Sequence, residues 1–149
     1  VSFIGAGLLG MAHTLPQVNL YTHGTLVTAM HGHLAFWGAY GMIVFAFISF
    51  AMPNLTGRKL YETVAGQLAF WLTTIGMLGM TSAFAVAGVA QVYLERRMGL
   101  DFGMVQKEIE VHFLVLTICA TLFTTGVILF IYEFIKYGKP NDEALVVSE

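Results

Sequence analysis

Three of the five histidines in this 149-residue chain fall close together. His23, His31 and His33 lie within eleven residues, in the stretch Tyr21-Thr22-His23-Gly24-Thr25-Leu26-Val27-Thr28-Ala29-Met30-His31-Gly32-His33. They open a segment in which no Lys, Arg, Asp or Glu occurs before Arg58. Ionisable groups in such apolar surroundings are costly and usually functional. One imidazole there could simply bond a neighbouring carbonyl, but two at i and i+2, with a third eight residues upstream, are hard to explain as packing. On a helix each residue turns about 100°, so positions two apart point roughly 200° from each other. His31 and His33 therefore face nearly opposite sides and cannot chelate one ion together, as an i, i+4 pair can. A strand would put both on one face, but Leu34-Ala35-Phe36-Trp37-Gly38-Ala39-Tyr40 shows no polar/apolar alternation. A helix with an imidazole on each side suits two separate metal centres flanking it. Neutral imidazole is a standard axial ligand to haem iron.

The elements that position these residues follow from composition. AVILMFWYC residues make up 57% of the chain and DEKR residues only 11%, whereas a soluble domain carries about 25% charged residues. A soluble globule is excluded. A net charge of −2 gives no basic face, so nucleic acid is excluded as a main partner. Uncharged runs extend from the first residue to Gly57, from Thr63 to Leu94 and from Val111 to Tyr132. Each exceeds the ~20 residues that cross a bilayer as a helix. The expected architecture is an all-α polytopic transmembrane helix bundle forming a single membrane domain over 1–149. It comprises a partial helix 2–12, an outer loop 13–24, helices 25–52, 63–94 and 111–135, and a C-terminal tail 138–149. Pro16 stops the first helix and Pro53 the second. The chain opens inside apolar sequence without an initiator Met, as expected of the C-terminal piece of a longer polypeptide. Arg58, Lys59, Lys136 and Lys139 lie on one side of the membrane and Arg96, Arg97 and Lys107 on the other, a bias toward a cytoplasmic C-terminus.

Other motifs take plainer readings. Gly5-Ala6-Gly7-Leu8-Leu9-Gly10 fits G-x-G-x-x-G, but only four residues precede it and no acidic residue appears before Glu62, so it is a small-residue helix face and not a dinucleotide site. Gly76, Gly79, Ala83, Ala87 and Ala90 recur at helical spacing and mark tight helix packing. Cys119 is a lipid- or helix-facing packing residue. His112, beside Glu110, suits a surface hydrogen bond or subunit contact. His13 suits a helix-end bond to a carbonyl or an approach to a haem propionate. Glu133 is expected to snorkel to the interface or to pair with Lys136 or Lys139.

The arrangement H-x7-H-x-H at the head of a long transmembrane helix resembles the haem–copper oxidase superfamily. The longer string H-T-L-P-Q-V-N-x-Y-T-H-G-T, followed by H-G-H-L-A-F-x-G-A-Y, resembles the large-subunit family of cytochrome c-dependent nitric oxide reductases. Gln91-Val92-Tyr93-Leu94-Glu95-Arg96 and Glu110-Val111-His112-Phe113 are similar to that family's last two helices. Gly24 and Gly32 stand where the classical oxidases tend to carry Asp and a bulky residue. The resemblance implies that His31 is the proximal ligand of a high-spin haem b and His33 an axial ligand of a low-spin haem b. It places His23 near the haem propionates. It further implies a non-haem iron bound by residues outside this chain, a membrane-anchored cytochrome c subunit as partner, the bacterial inner membrane as location, and reduction of two NO to N2O and water. Two alternatives stay open: another haem–copper branch, whether a quinol-fed nitric oxide reductase or an oxygen reductase, and a non-catalytic transporter bundle whose histidines relay protons.

Overall fold

The computed structural model describes residues 2–57 and 63–137, and every element among them is helical. Helix α1 (Ser2–Thr14) ends where Leu15 turns to an extended conformation, φ −75° and ψ 122°. The residue before a proline is pushed out of the helical region in this way. Pro16 then starts a second helix, α2 (Pro16–Thr22), at the position where its missing N–H costs nothing. The stretch 13–24, expected as loop, is thus largely helical, because the proline that ends one helix begins the next. His13 sits in the last turn of α1.

Thr25 caps α3 (Leu26–His33), its side-chain oxygen accepting from the Val27 N–H at 3.3 Å. Directly after His33 the helix widens into π winding over Leu34–Gly41, then returns to α geometry as α4 (Met42–Thr56). The three segments form one continuous rod, Leu26–Thr56. Pro53, expected to end the span, lies inside its last turn. Its missing N–H takes one bond out of the ladder, and the helix runs on only to Thr56. The actual terminator is Gly57, left-handed at φ 67°, whose N–H donates to the Pro53 carbonyl at 2.8 Å.

Thr63 caps α5 (Val64–Val92), which runs on as a π turn over Tyr93–Arg97. A short helix α6 (Phe102–Glu108), capped by Asp101, leads into α7 (Glu110–Tyr137). The rods Leu26–Thr56 and Val64–Arg97, together with Glu110–Lys136, are each long and apolar enough to cross a membrane.

The central element is α5, with α7 packed along one side and α3 along another. Met77, Met80 and Ala83 of α5 form a core with Leu116 and Phe123 of α7. Backbones nearly touch there: a Cβ on Gly76 would lie 2.6 Å from the Phe123 nitrogen, and one on Gly126 would lie 2.7 Å from the Thr73 nitrogen. In lipid, where burying apolar surface between helices brings no hydrophobic gain, such close approach maximises dispersion contact. Half-buried Cys119 packs against Gly79. On the far side of the first rod, α1 crosses the π segment. The histidine-bearing rod thus lies between α1 and α5.

Candidate functional site

The histidine helix is fixed at its start by a set of polar contacts. Gly24, at φ 72°, turns the chain between α2 and α3. The Thr25 and Thr28 hydroxyls both donate to the Thr22 carbonyl, at 2.7 and 2.9 Å. The N–H of Leu26, one of the orphan donors at a helix start, donates to Oε1 of Gln91 at 2.9 Å. The Gln91 amide donates in turn to Oε1 of Glu95 at 2.8 Å. Arg96 reaches the His23 carbonyl at 3.4 Å. Gly88, one turn before Gln91, lets the helices meet: a Cβ there would stand 2.5 Å from the Val27 nitrogen.

On this helix His31 and His33 meet different neighbours. The His31 ring is edge-on to His13 of α1, with centroids 5.3 Å apart and planes at 90°. The His33 ring tilts over Phe84 of α5, with centroids 4.7 Å apart. Nδ1 of His33 donates to the Ala29 carbonyl at 2.8 Å. That bond sets the tautomer and leaves the Nε2 lone pair for another partner. Nδ1 of His31 is buried and has no hydrogen-bond partner among the described residues. An open depression of about 320 Å³ adjoins His33, lined also by Ala29, Gly32, Phe36 and Trp37. A Cβ on Gly32 would meet no atom of this chain within 4 Å, so the chain's own packing does not require glycine there. An orphaned ring nitrogen, an imidazole held in one tautomer and an uncrowded glycine beside an open depression fit axial ligation of haem by these two residues. Among the described residues no three His, Cys, Asp or Glu side chains converge on a common point.

The other candidates lie apart from this pair or join one member of it. His23 is exposed at the end of α2, its N–H donating to the Asn19 carbonyl at 2.9 Å. His13, outside the three long rods, joins His31, and its pKa lies below the ordinary imidazole value, chiefly through burial and further through the neighbouring His31. Nδ1 of His112 bonds the Ile109 carbonyl at 3.3 Å, a local helix-start contact. Glu133 does not snorkel: it is 2% exposed and accepts from the Thr63 hydroxyl at 2.8 Å. That hydroxyl also caps α5, so the carboxylate is drawn to the positive end of a helix dipole. Sequence reasoning missed Gln91 as a contributor to this site. The one signal that could have found it is an uncharged but strongly polar residue inside an apolar run.

Comparison with known proteins decides the family. Residues 1–122 match the cytochrome c and quinol oxidase polypeptide I family. The chain belongs to this haem–copper oxidase family. It is 39% identical over 146 residues to a nitric oxide reductase subunit from Stutzerimonas stutzeri, a match covering 93% of this chain and 31% of that protein. It is 35% identical over 98 residues to a cytochrome c oxidase subunit 1 homolog of Agrobacterium tumefaciens (strain T37), covering 64% of this chain and 18% of that protein. With cytochrome c oxidase subunit 1 of Rhodobacter capsulatus it shares 34% identity over 90 residues, covering 60% of this chain and 17% of that protein. The chain thus spans about a third of the length of the nitric oxide reductase relative. As a haem–copper oxidase family member it is a multi-pass membrane protein related to electron-transferring oxidoreductases, and the family implies haem as cofactor.

Proposed function

We propose that this chain is part of the catalytic subunit of a respiratory nitric oxide reductase, which converts two NO, two electrons and two protons into N2O and water. The observation that carries the proposal is one helix offering two imidazoles to different neighbours, His31 toward α1 and His33 toward α5. The 39% identity to a nitric oxide reductase subunit over most of the chain supports this branch of the family. In this reading His31 is the proximal ligand of a high-spin haem b and His33 an axial ligand of a low-spin haem b, with His23 near the propionates. Bound there, the haems would supply one-electron transfer and an iron for NO, beside a non-haem iron held by residues outside this chain. The chain's own contribution is orientation. A single rod sets the two imidazoles two residues apart, the Ala29 carbonyl holds the His33 ring, and Phe84 covers one face of it. The proposed setting is the bacterial inner membrane with a cytoplasmic C-terminus, and the proposed electron donor is a membrane-anchored cytochrome c subunit.

The test is a reduced-minus-oxidised optical spectrum with metal analysis on membranes holding the complete polypeptide that carries this segment. Two b-type haems and non-haem iron without copper are expected. Copper would move the reading to an oxygen reductase, the activity class of the cytochrome c oxidase relatives. Absence of haem from folded protein would overturn it in favour of a non-catalytic bundle. Replacing His31→Ala should remove the high-spin signal alone and His33→Ala the low-spin signal alone; loss of both from either change in folded protein would sink the two-centre assignment.

A further inference from the structure

Gln91 sits 65 residues from Leu26 in sequence, yet its side chain is 4% exposed and uses both polar groups inside the helix junction. Its oxygen takes the Leu26 N–H and its amide is held by Glu95. The spacing along the two helices gives this bond a consequence at the histidines. Leu26 and His33 are seven residues apart on α3, and Phe84 and Gln91 are seven apart on α5. Leu26 meets Gln91 and His33 meets Phe84, so the helices run antiparallel in a register where two contacts, each about 10.5 Å along its helix from the other, close together. A slip of one residue would move α3 by about 1.5 Å and turn it by about 100°, carrying the His33 ring off Phe84. Gly88 fixes how near the helices come. A contact between apolar surfaces tolerates sliding, whereas a directional hydrogen bond at a buried side chain does not, since the Leu26 N–H and the Gln91 Oε1 would both lose their partner.

We infer that Gln91 is a positioning residue for the metal centre on the His33 side, acting as the pin that sets the register of α3 on α5. The inference rests on the reading of His33 as a haem ligand. A merely structural glutamine would change how much protein accumulates but not the signature of the haem that is bound.

The experiment uses the haem-loaded complete polypeptide and reads the low-spin α-band, its EPR g-values and its midpoint potential, each at measured haem content. Q91L removes both bonds; Q91E keeps an acceptor for the Leu26 N–H but loses the donor to Glu95 and sets two carboxylates against each other, and the reciprocal exchange Q91E/E95Q supplies a donor that holds that acceptor in place again. Expected are a shifted low-spin signature and potential in Q91L, a smaller shift in Q91E, and return of the low-spin values in Q91E/E95Q. A wild-type low-spin signature in haem-loaded Q91L overturns the inference, and so does a Q91E/E95Q protein shifted as far as a shifted Q91E. Should Q91L fail to accumulate, the comparison of Q91E with Q91E/E95Q decides the same question. His33→Ala separates the two levels: survival of the low-spin signal in that variant defeats the ligand reading itself, whatever Gln91 does.

Discussion

The two sides of α5 are built differently. Toward α7 the contact is apolar and backbone-close, with Gly76 against Phe123 and Gly126 against Thr73, and near one end Thr63 meets Glu133. Toward α3 it is short and polar, with Gly88 for approach and Gln91 for the bond. Burial marks α5 as the shared element: 39% of the apolar stretch of Val64–Arg97 is buried, against 11% for Glu110–Lys136 and 6% for Leu26–Thr56. One pair of helices is a finished scaffold. The other presents imidazoles from a helix held firmly at its start and left largely uncovered along its length, as a helix must be if it is to face other groups. Dispersion at close range secures the scaffold; directional polar contacts set the position of the part that does chemistry.

Three substitutions would break or sharpen this contrast. The largest effect is expected from Gly76→Leu, because the side chain would run into backbone of α7 that cannot give way; overpacking of this kind costs about 1–3 kcal/mol or more. Thermal melting in detergent should show a marked loss, and wild-type stability would show that the α5–α7 contact is not closed. Next is Thr63→Val, which removes the donor to the buried Glu133 carboxylate and the cap of α5. A loss of about 1–3 kcal/mol is expected for the abandoned acceptor, and adding Glu133→Leu should recover part of it. No recovery in the double variant would mean that the cap alone matters. The smallest change is expected from Gly32→Ala, where no atom of the chain opposes a methyl group and alanine favours the helix by up to about 1 kcal/mol. Stability should hold or rise while the haem spectrum of the loaded protein shifts; destabilisation by more than about 1 kcal/mol, against that helix preference, would show that the face beside His33 is already filled by the chain.

Much of the fold is legible in the sequence because its signals are local. Each of the three uncharged runs falls on one long rod, two of the rods extending past their runs to Arg97 and to Lys136, and the two-sided placement of His31 and His33 follows from helical rotation alone. Pro16 does stop α1, but what its sequence reading leaves out is that the same proline, at a first helical position, starts α2; Pro53 misleads as a stop, because the helix runs three residues past it to the left-handed Gly57. Glu133 misleads as a snorkelling residue because one of its partners, Thr63, is 70 residues away and nothing near Glu133 in sequence names it; the alternative pairing with Lys139 lies outside the described residues. The π winding after His33 also has no sequence signal beyond the glycines at 38 and 41.

What the sequence determined by itself is the period and the chemistry: membrane-length helices, an imidazole on each side of one of them, and a spacing that forbids a shared chelate. Those properties depend on neighbours a few residues apart, which the backbone geometry of a helix fixes without reference to the rest of the chain. Which helix each imidazole meets was decided only in the tertiary structure. His31 lies against His13, His33 lies over Phe84, and Gln91 holds Leu26, because register between helices is set by contacts between segments that the sequence separates and only packing brings together.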